Sequence, residues 1–87
     1  MKKNDFGDRV RKVVRQIPKG STASYKEVAA AAGYPGAARA VGTVMRLNYD
    51  KTVPCHRVIM SNGSLGHYNR GGVEKKRKLL KSEGARF

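Results

Sequence analysis

The chain has 87 residues, enough for one small domain with a single modest core. It carries 19 Lys and Arg against 6 Asp and Glu, a formal net charge of +13, and a folded domain this basic is expected to bind a polyanion such as nucleic acid. One cysteine excludes an internal disulfide framework, Cys55 with two histidines (His56 and His67) is too small a set for a Cys/His zinc site, and no stretch approaches the ~20 apolar residues of a membrane span.

The start, Met1-Lys2-Lys3-Asn4-Asp5, runs straight into a charged pattern and shows no signal peptide. A free thiol then fits a reducing, cytoplasmic setting. From about Asp5 to Ile17, Phe6, Val10, Val13, Val14 and Ile17 recur at helical spacing, with Asn4 or Asp5 as the cap and Pro18-Lys19-Gly20 as the stop. Ser24 and Glu27 have the spacing of a capping box and open a second helix through Tyr25, Val28 and an alanine run to Ala32. Gly33-Tyr34-Pro35-Gly36 ends it. A third helix is predicted from about Ala37 to Leu47, with Ala38, Val41 and Met45 as its apolar stripe and Arg39, Thr43 and Arg46 on another face. Two short helices about a Gly/Pro turn read as a helix-turn-helix. The small residues Ala37, Ala38, Ala40, Gly42 and Thr43 let the second of them approach either another helix or a DNA groove closely.

Asn48 to Thr52 reads as a polar connection, Val53 to Met60 as a segment with a short β-favouring end, and Leu65 to Gly72 as a Gly-rich loop. A last helix is predicted over about Val73 to Ser82, with Val73, Leu79 and Leu80 inward and Lys75, Lys76, Arg77, Lys78 and Lys81 outward. Met45 and Met60 are assigned to the core, Tyr34 and Tyr49 to helix-end packing, and His67 to a loop near the site. The expected fold is mostly α: a small winged-helix-like or helix-turn-helix domain of about four helices with little strand.

A lone cysteine is more often a buried filler than a nucleophile. Cys55, however, lies between Pro54 and His56-Arg57 in a strongly basic domain, and nearby positive charge stabilises a thiolate. His56 is a candidate base, directly or through a water, and such a base needs a carboxylate to orient it. Glu83 is the only carboxylate after Leu79-Leu80, so a packed last helix would bring it to His56.

Pro54-Cys55-His56-Arg57-Val58 resembles the active-site motif of the O6-alkylguanine-DNA alkyltransferases. Ser24-Tyr25-Lys26-Glu27-Val28-Ala29 resembles that family's helix-turn-helix tyrosine segment, and Ala38-Arg39-Ala40-Val41-Gly42 with Met45 and Asn48 its recognition helix and asparagine hinge. Gly66-His67-Tyr68, Gly71-Gly72, Lys76, Leu79-Leu80 and Glu83-Gly84 resemble its substrate loop and closing helix. Four motifs in order, from about Phe6 to Gly84, make the resemblance specific.

The resemblance implies a single alkyltransferase catalytic and DNA-binding domain over 1–87, without the family's usual N-terminal domain. It implies DNA repair by flipping an O6-alkylguanine and moving the alkyl group irreversibly to Cys55. His56 would be the base through a water, Glu83 its support, and Asn48 the tie between hinge and active-site turn. Arg39 would be the finger that fills the gap left by the flipped base, and Tyr25 would crowd the neighbouring phosphate. Ala37, Ala40, Gly42 and Thr43 would lie along the minor groove, where readout is degenerate. The Cys55 and Val58 carbonyls would accept from the guanine amine, and Tyr68 would line the pocket. The implied partner is double-stranded DNA containing O6-alkylguanine, bound by a monomer, with no membrane, cofactor or metal.

Two local departures bear on the site. The Asn48–Cys55 spacing is one residue shorter than is common in the family, and Asn69-Arg70-Gly71-Gly72 stands where many members have a small hydroxyl residue and two glycines. Asn69 and Arg70 therefore compete as the residue that holds the guanine oxygen. The alternative reading is an alkyltransferase-like protein that binds and flags the lesion without repairing it; those proteins lack the acceptor cysteine.

Overall fold

A computed structural model of the chain describes residues 5–66 and 68–86. His67 and Asn4, both named above, lie outside the described residues. Helix α1 spans Phe6–Arg15, and its cap is Asp5, whose side chain accepts from the Asp8 amide at 2.8 Å. Helix α2, Tyr25–Ala31, opens with the expected capping box: Ser24 Oγ accepts from the Glu27 amide at 2.9 Å and Glu27 Oε1 from the Ser24 amide at 2.8 Å. Gly33 ends the helix at φ +92°, a left-handed conformation that glycine enters without a Cβ penalty. Helix α3 spans Ala38–Arg46 and helix α4 spans Gly72–Ser82.

Between α3 and α4 the chain forms a single 3₁₀ turn, Cys55–Arg57, and a two-residue strand, β2, at Val58–Ile59. Strand β2 pairs in parallel with β1, Ala23–Ser24, joining Ala23 to Val58 and Ser24 to Ile59. This ladder holds the turn that carries Cys55 beside the N-terminus of α2. Four helices and little strand match the expected fold class.

The main core gathers Val10 and Val14 of α1, Val28 and Ala29 of α2, Val41 and Met45 of α3, and Val53, Cys55 and Val58 of the connecting segment. A second cluster, Ile59, Leu65 and Leu80, packs α4 onto β2 and the loop. The exposed face of α3 carries Arg39, Thr43 and Arg46, as the helical spacing predicts.

Four assignments change. Met60 is 44% exposed and Tyr49 69% exposed, so neither packs as expected. Val73 is 43% exposed because it sits in the first turn of α4, beside Gly71-Gly72, where the core no longer covers it. Lys76, expected to face solvent, is fully buried. It lies one turn before Leu80 and so shares that residue's inward stripe; the run of lysines around it hides the periodicity. Tyr34 does pack at a helix end, edge-on to Phe6 with ring centroids 5.1 Å apart.

Leu80 is fully buried in the smaller cluster and is the side chain that fixes α4. Leu80→Ala should cost about 2–4 kcal/mol in unfolding free energy, read as a lower urea midpoint at unchanged m-value. A loss no larger than that of an exposed alanine substitution would show that α4 is not docked through this residue.

Candidate active site and nucleic-acid face

The N-terminus of α2, the exposed side of α3, the 3₁₀ turn and the loop before α4 converge on a cleft of about 790 Å³. Cys55 lies in its wall, with Tyr25, Arg39, Gly42, Thr43, Arg46, Met60, Tyr68 and Asn69 among the lining residues. The cysteine is buried in the residue sense yet opens onto this cleft. The cleft thus brings one thiol together with the cations Arg39 and Arg46 and with Ala38, Gly42 and Thr43 of α3. Gly66 permits this closeness: at φ +74°, an added Cβ would stand 3.3 Å from the Tyr25 hydroxyl.

Asn48, at the end of α3, is buried. Its Nδ2 donates to the Asp50 carbonyl at 3.3 Å and reaches Cys55 Sγ at 3.8 Å. The sulfur thus takes an amide donor from the residue that follows α3.

The two residues after Cys55 grip one carboxylate. His56 Nε2 meets Glu83 Oε2 at 2.9 Å. Arg57 donates to both oxygens of the same carboxylate, through Nε at 3.0 Å and Nη2 at 2.9 Å, and through Nη1 to the Ile17 carbonyl at 2.9 Å. The Arg57 bonds above all, with His56 adding to them, hold Glu83 well below the usual carboxylate range, at about 2. Since Nε2 is taken by Glu83, Nδ1 is the nitrogen left to face a water or a thiol. His56 stands edge-on to Tyr68, with ring centroids 6.4 Å apart. Among the described residues no hydrogen bond joins the His56 ring to Cys55 Sγ, so any proton relay between them needs a bridging water.

Lys76 enters the site from α4. Its Nζ lies 5.8 Å from the centroid of the Tyr25 ring. Burial pulls its pKa down to about 8, and the charge of Cys55 works in the opposite direction. Burial, with Cys55 adding to it, raises the hydroxyl pKa of both Tyr25 and Tyr68 above the ordinary tyrosine value, so both remain neutral donors at neutral pH.

The two residues expected to compete for the guanine oxygen are separated. Asn69 lines the Cys55 cleft, but its Nδ2 faces the carbonyls of Met45, Arg46 and Asn48 at 3.3, 2.7 and 2.7 Å. Arg70 lines instead a second hollow of about 380 Å³, together with Arg15, Lys51, His56, Arg57 and Tyr68. Val58 is buried in β2 directly after the turn, and Ala37 and Ala40 flank the α3 stripe. Sequence reasoning missed Arg57 as the second grip on Glu83 and Lys76 as a buried cation of the site. A lysine spaced i−4 from Leu80 was the available signal for the second. Among the described residues no group of three or more His, Cys, Asp or Glu is arranged to hold a metal, and no helix is long and apolar enough to cross a membrane.

The chain is similar to known proteins along most of its length. Residues 5–85 match the family described as 6-O-methylguanine DNA methyltransferase, DNA binding domain. The mouse methylated-DNA–protein-cysteine methyltransferase is 49% identical over 74 residues, covering 84% of this chain and 35% of that protein. The protein of the same name from Methanothermobacter thermautotrophicus is 48% identical over 81 residues, covering 92% of this chain and 44% of that protein. The chain thus spans between a third and a half of the length of these relatives. Among solved structures, Mycobacterium tuberculosis OGT in complex with DNA superposes with a TM-score of 0.85 at 50% identity, over 91% of this chain and 48% of that one. Schizosaccharomyces pombe Atl1, in complex with damaged DNA containing O6-carboxymethylguanine, superposes with a TM-score of 0.82 at 34% identity, over 97% of this chain and 80% of that one. Matched along nearly its whole length, the chain belongs to the family of the 6-O-methylguanine DNA methyltransferase DNA-binding domain.

Proposed function

We propose that this chain repairs DNA by accepting, on Cys55, the alkyl group of an O6-alkylguanine flipped out of the duplex. The observation that carries the reading is the shared cleft: Cys55 opens into the same space as the exposed Arg39 and Arg46 of α3. A nucleophile placed beside a cationic helix face can meet a base only if that base leaves the stack.

In the proposed reaction the Cys55 sulfur attacks the alkyl carbon of the O6 substituent. The S–C bond forms as the C–O6 bond breaks, and the bond's electron pair stays on the oxygen. The thiol proton passes through a water to His56, and a proton returns to the guanine as it leaves. Glu83 holds His56 in place. The product is a thioether, which water does not readily hydrolyse, so each molecule acts once. Arg39 fills the vacated position in the stack, and the small residues Ala37, Ala40 and Gly42, with Thr43, let α3 lie in the minor groove. Tyr25 crowds the rotated phosphate. The Cys55 and Val58 carbonyls accept from the guanine amine, and Tyr68 lines the base pocket. The neutral hydroxyls of Tyr25 and Tyr68 are suited to donate to the leaving oxygen. Duplex DNA carrying the lesion is the partner.

The likeness to Atl1, with similar coverage of both chains, favours a second reading in which the lesion is bound and flagged without transfer. Cys55 in the cleft wall supports transfer over that reading. Intact-protein mass after mixing with an O6-methylguanine duplex separates the two. One added methylene group, lost in Cys55→Ala, is the expected result; an unchanged mass alongside lesion-selective binding sinks the repair reading. Arg39→Ala should slow transfer from duplex about tenfold or more while leaving reaction with free alkylguanine base within about twofold, and equal losses on the two substrates would remove the finger role.

The Glu83 clamp has its own signature. Its folded pKa, about 2, lies below the 4.5 of an ordinary glutamate, so the stability it contributes is complete above the unfolded pKa. That stability drains away as pH falls from near 4.5 toward 2. Glu83→Gln should therefore be less stable at neutral pH and should lose less further stability over that acid window, as read by urea midpoints at a series of pH values. An acid limb as steep as that of the unmodified protein would show that another carboxylate controls it.

A further inference from the structure

The loop after Tyr68 carries the inference. The last carbonyls of a helix have no partner within it. At the end of α3, three carbonyls, those of Met45, Arg46 and Asn48, all turn toward one side chain amide, that of Asn69. Two N–H groups thus serve three acceptors, and the contacts at 2.7 Å go to Arg46 and Asn48. The cost shows on the other side of the amide: Asn69 Oδ1 is buried with no hydrogen-bond partner among the described residues. A buried acceptor left unsatisfied is destabilising, and its retention calls for a reason.

The reason lies one residue along the chain of contacts. The Asn48 carbonyl held by Asn69 belongs to the residue whose own Nδ2 reaches Cys55 Sγ at 3.8 Å. A small hydroxyl at position 69 would be too short to span these three carbonyls.

We infer that Asn69 is a positioning residue: it locks the end of α3 and Asn48 to the pocket loop, and through Asn48 it sets the reactivity of Cys55. The groove-facing helix, the amide on the sulfur and the wall of the base pocket then move as one piece. The inference also removes Asn69 from contact with the guanine oxygen, since both of its N–H groups are committed. It rests on the reading of Cys55 as the nucleophile.

The test uses iodoacetamide and needs neither DNA nor an alkylated base. Sulfur displaces iodide, an S–C bond forms, and intact mass follows the rate on the full chain over a range of pH. Asn69→Ala and the isosteric Asn69→Asp should each slow alkylation at neutral pH about fivefold and move the midpoint of the pH profile upward. Asn69→Ala placed on an Asn48→Ala background should change the rate by less than about twofold. If Asn69→Ala fails to fold, Asn69→Ser, which keeps at most one of the carbonyl contacts, gives the same readout. Folded variants with unchanged rate and midpoint would overturn the inference, and so would losses at positions 48 and 69 that simply multiply. A protein that passes this test but takes no methyl group from DNA would fail the repair reading while keeping this one.

Discussion

The turn that carries Cys55 hangs on one carboxylate. Glu83 follows the last turn of α4, and its two oxygens receive His56 and the Nε and Nη2 groups of Arg57. Arg57 in turn reaches the Ile17 carbonyl just beyond α1. A single acidic group therefore ties α4, the 3₁₀ turn and the end of α1 together. Bidentate, charge-assisted bonds of this kind set orientation as well as energy. Truncating either partner would leave the other charge largely buried, a much larger penalty than the net worth of the pair.

The clamp also explains how so basic a chain can fold. It has six acidic residues, and each has an internal task. Asp5 caps α1, Asp8 pairs with Arg11, and Glu27 completes the box at α2. Asp50 pairs with Arg15, Glu74 with Arg77, and Glu83 holds the site. The acids are spent on local order, and the chain as a whole keeps a net charge of +13. Surface pairs such as those of Asp8 and Asp50 contribute little each. The fold depends on the apolar core and the buried clamp.

What the sequence revealed divides along a physical line. Local devices were legible: the Ser24–Glu27 box, the glycine stop at Gly33 and the exposed Arg39–Thr43–Arg46 face all appear as expected. The contact of Glu83 with His56 was foreseeable because carboxylates are so scarce that few candidates existed. Non-local devices were not legible. A parallel ladder of two residues per strand has no periodicity to detect, and it joins segments some 35 residues apart. Arg57 was hidden among other basic residues. Asn69 looked like a donor for substrate, since nothing in the sequence places the end of α3 beside it. Lys76 was masked by its charged neighbours, although its spacing from Leu80 marks it as inward.

Lys76 shows why the site needs the whole domain around it. A cation with no exposed surface is costly, and burial alone would favour its neutral form. The charge on Cys55 and the face of the Tyr25 ring both oppose that tendency. At about 8, its pKa leaves Lys76 mostly protonated at neutral pH. Burial, with the same sulfur charge adding to it, raises the tyrosine hydroxyls as well, so Tyr25 and Tyr68 keep their protons. The result is one fixed cation and two neutral hydroxyls around a single sulfur. In the proposed transfer an attacking thiolate would gain from the first, and an oxygen leaving with an electron pair would gain from the second and third. None of the three could do this in open solvent, where a high dielectric would erase the differences. Asn69, next to Tyr68, and Glu83, just after the helix that carries Lys76, each tie their part of the chain to the rest of the domain.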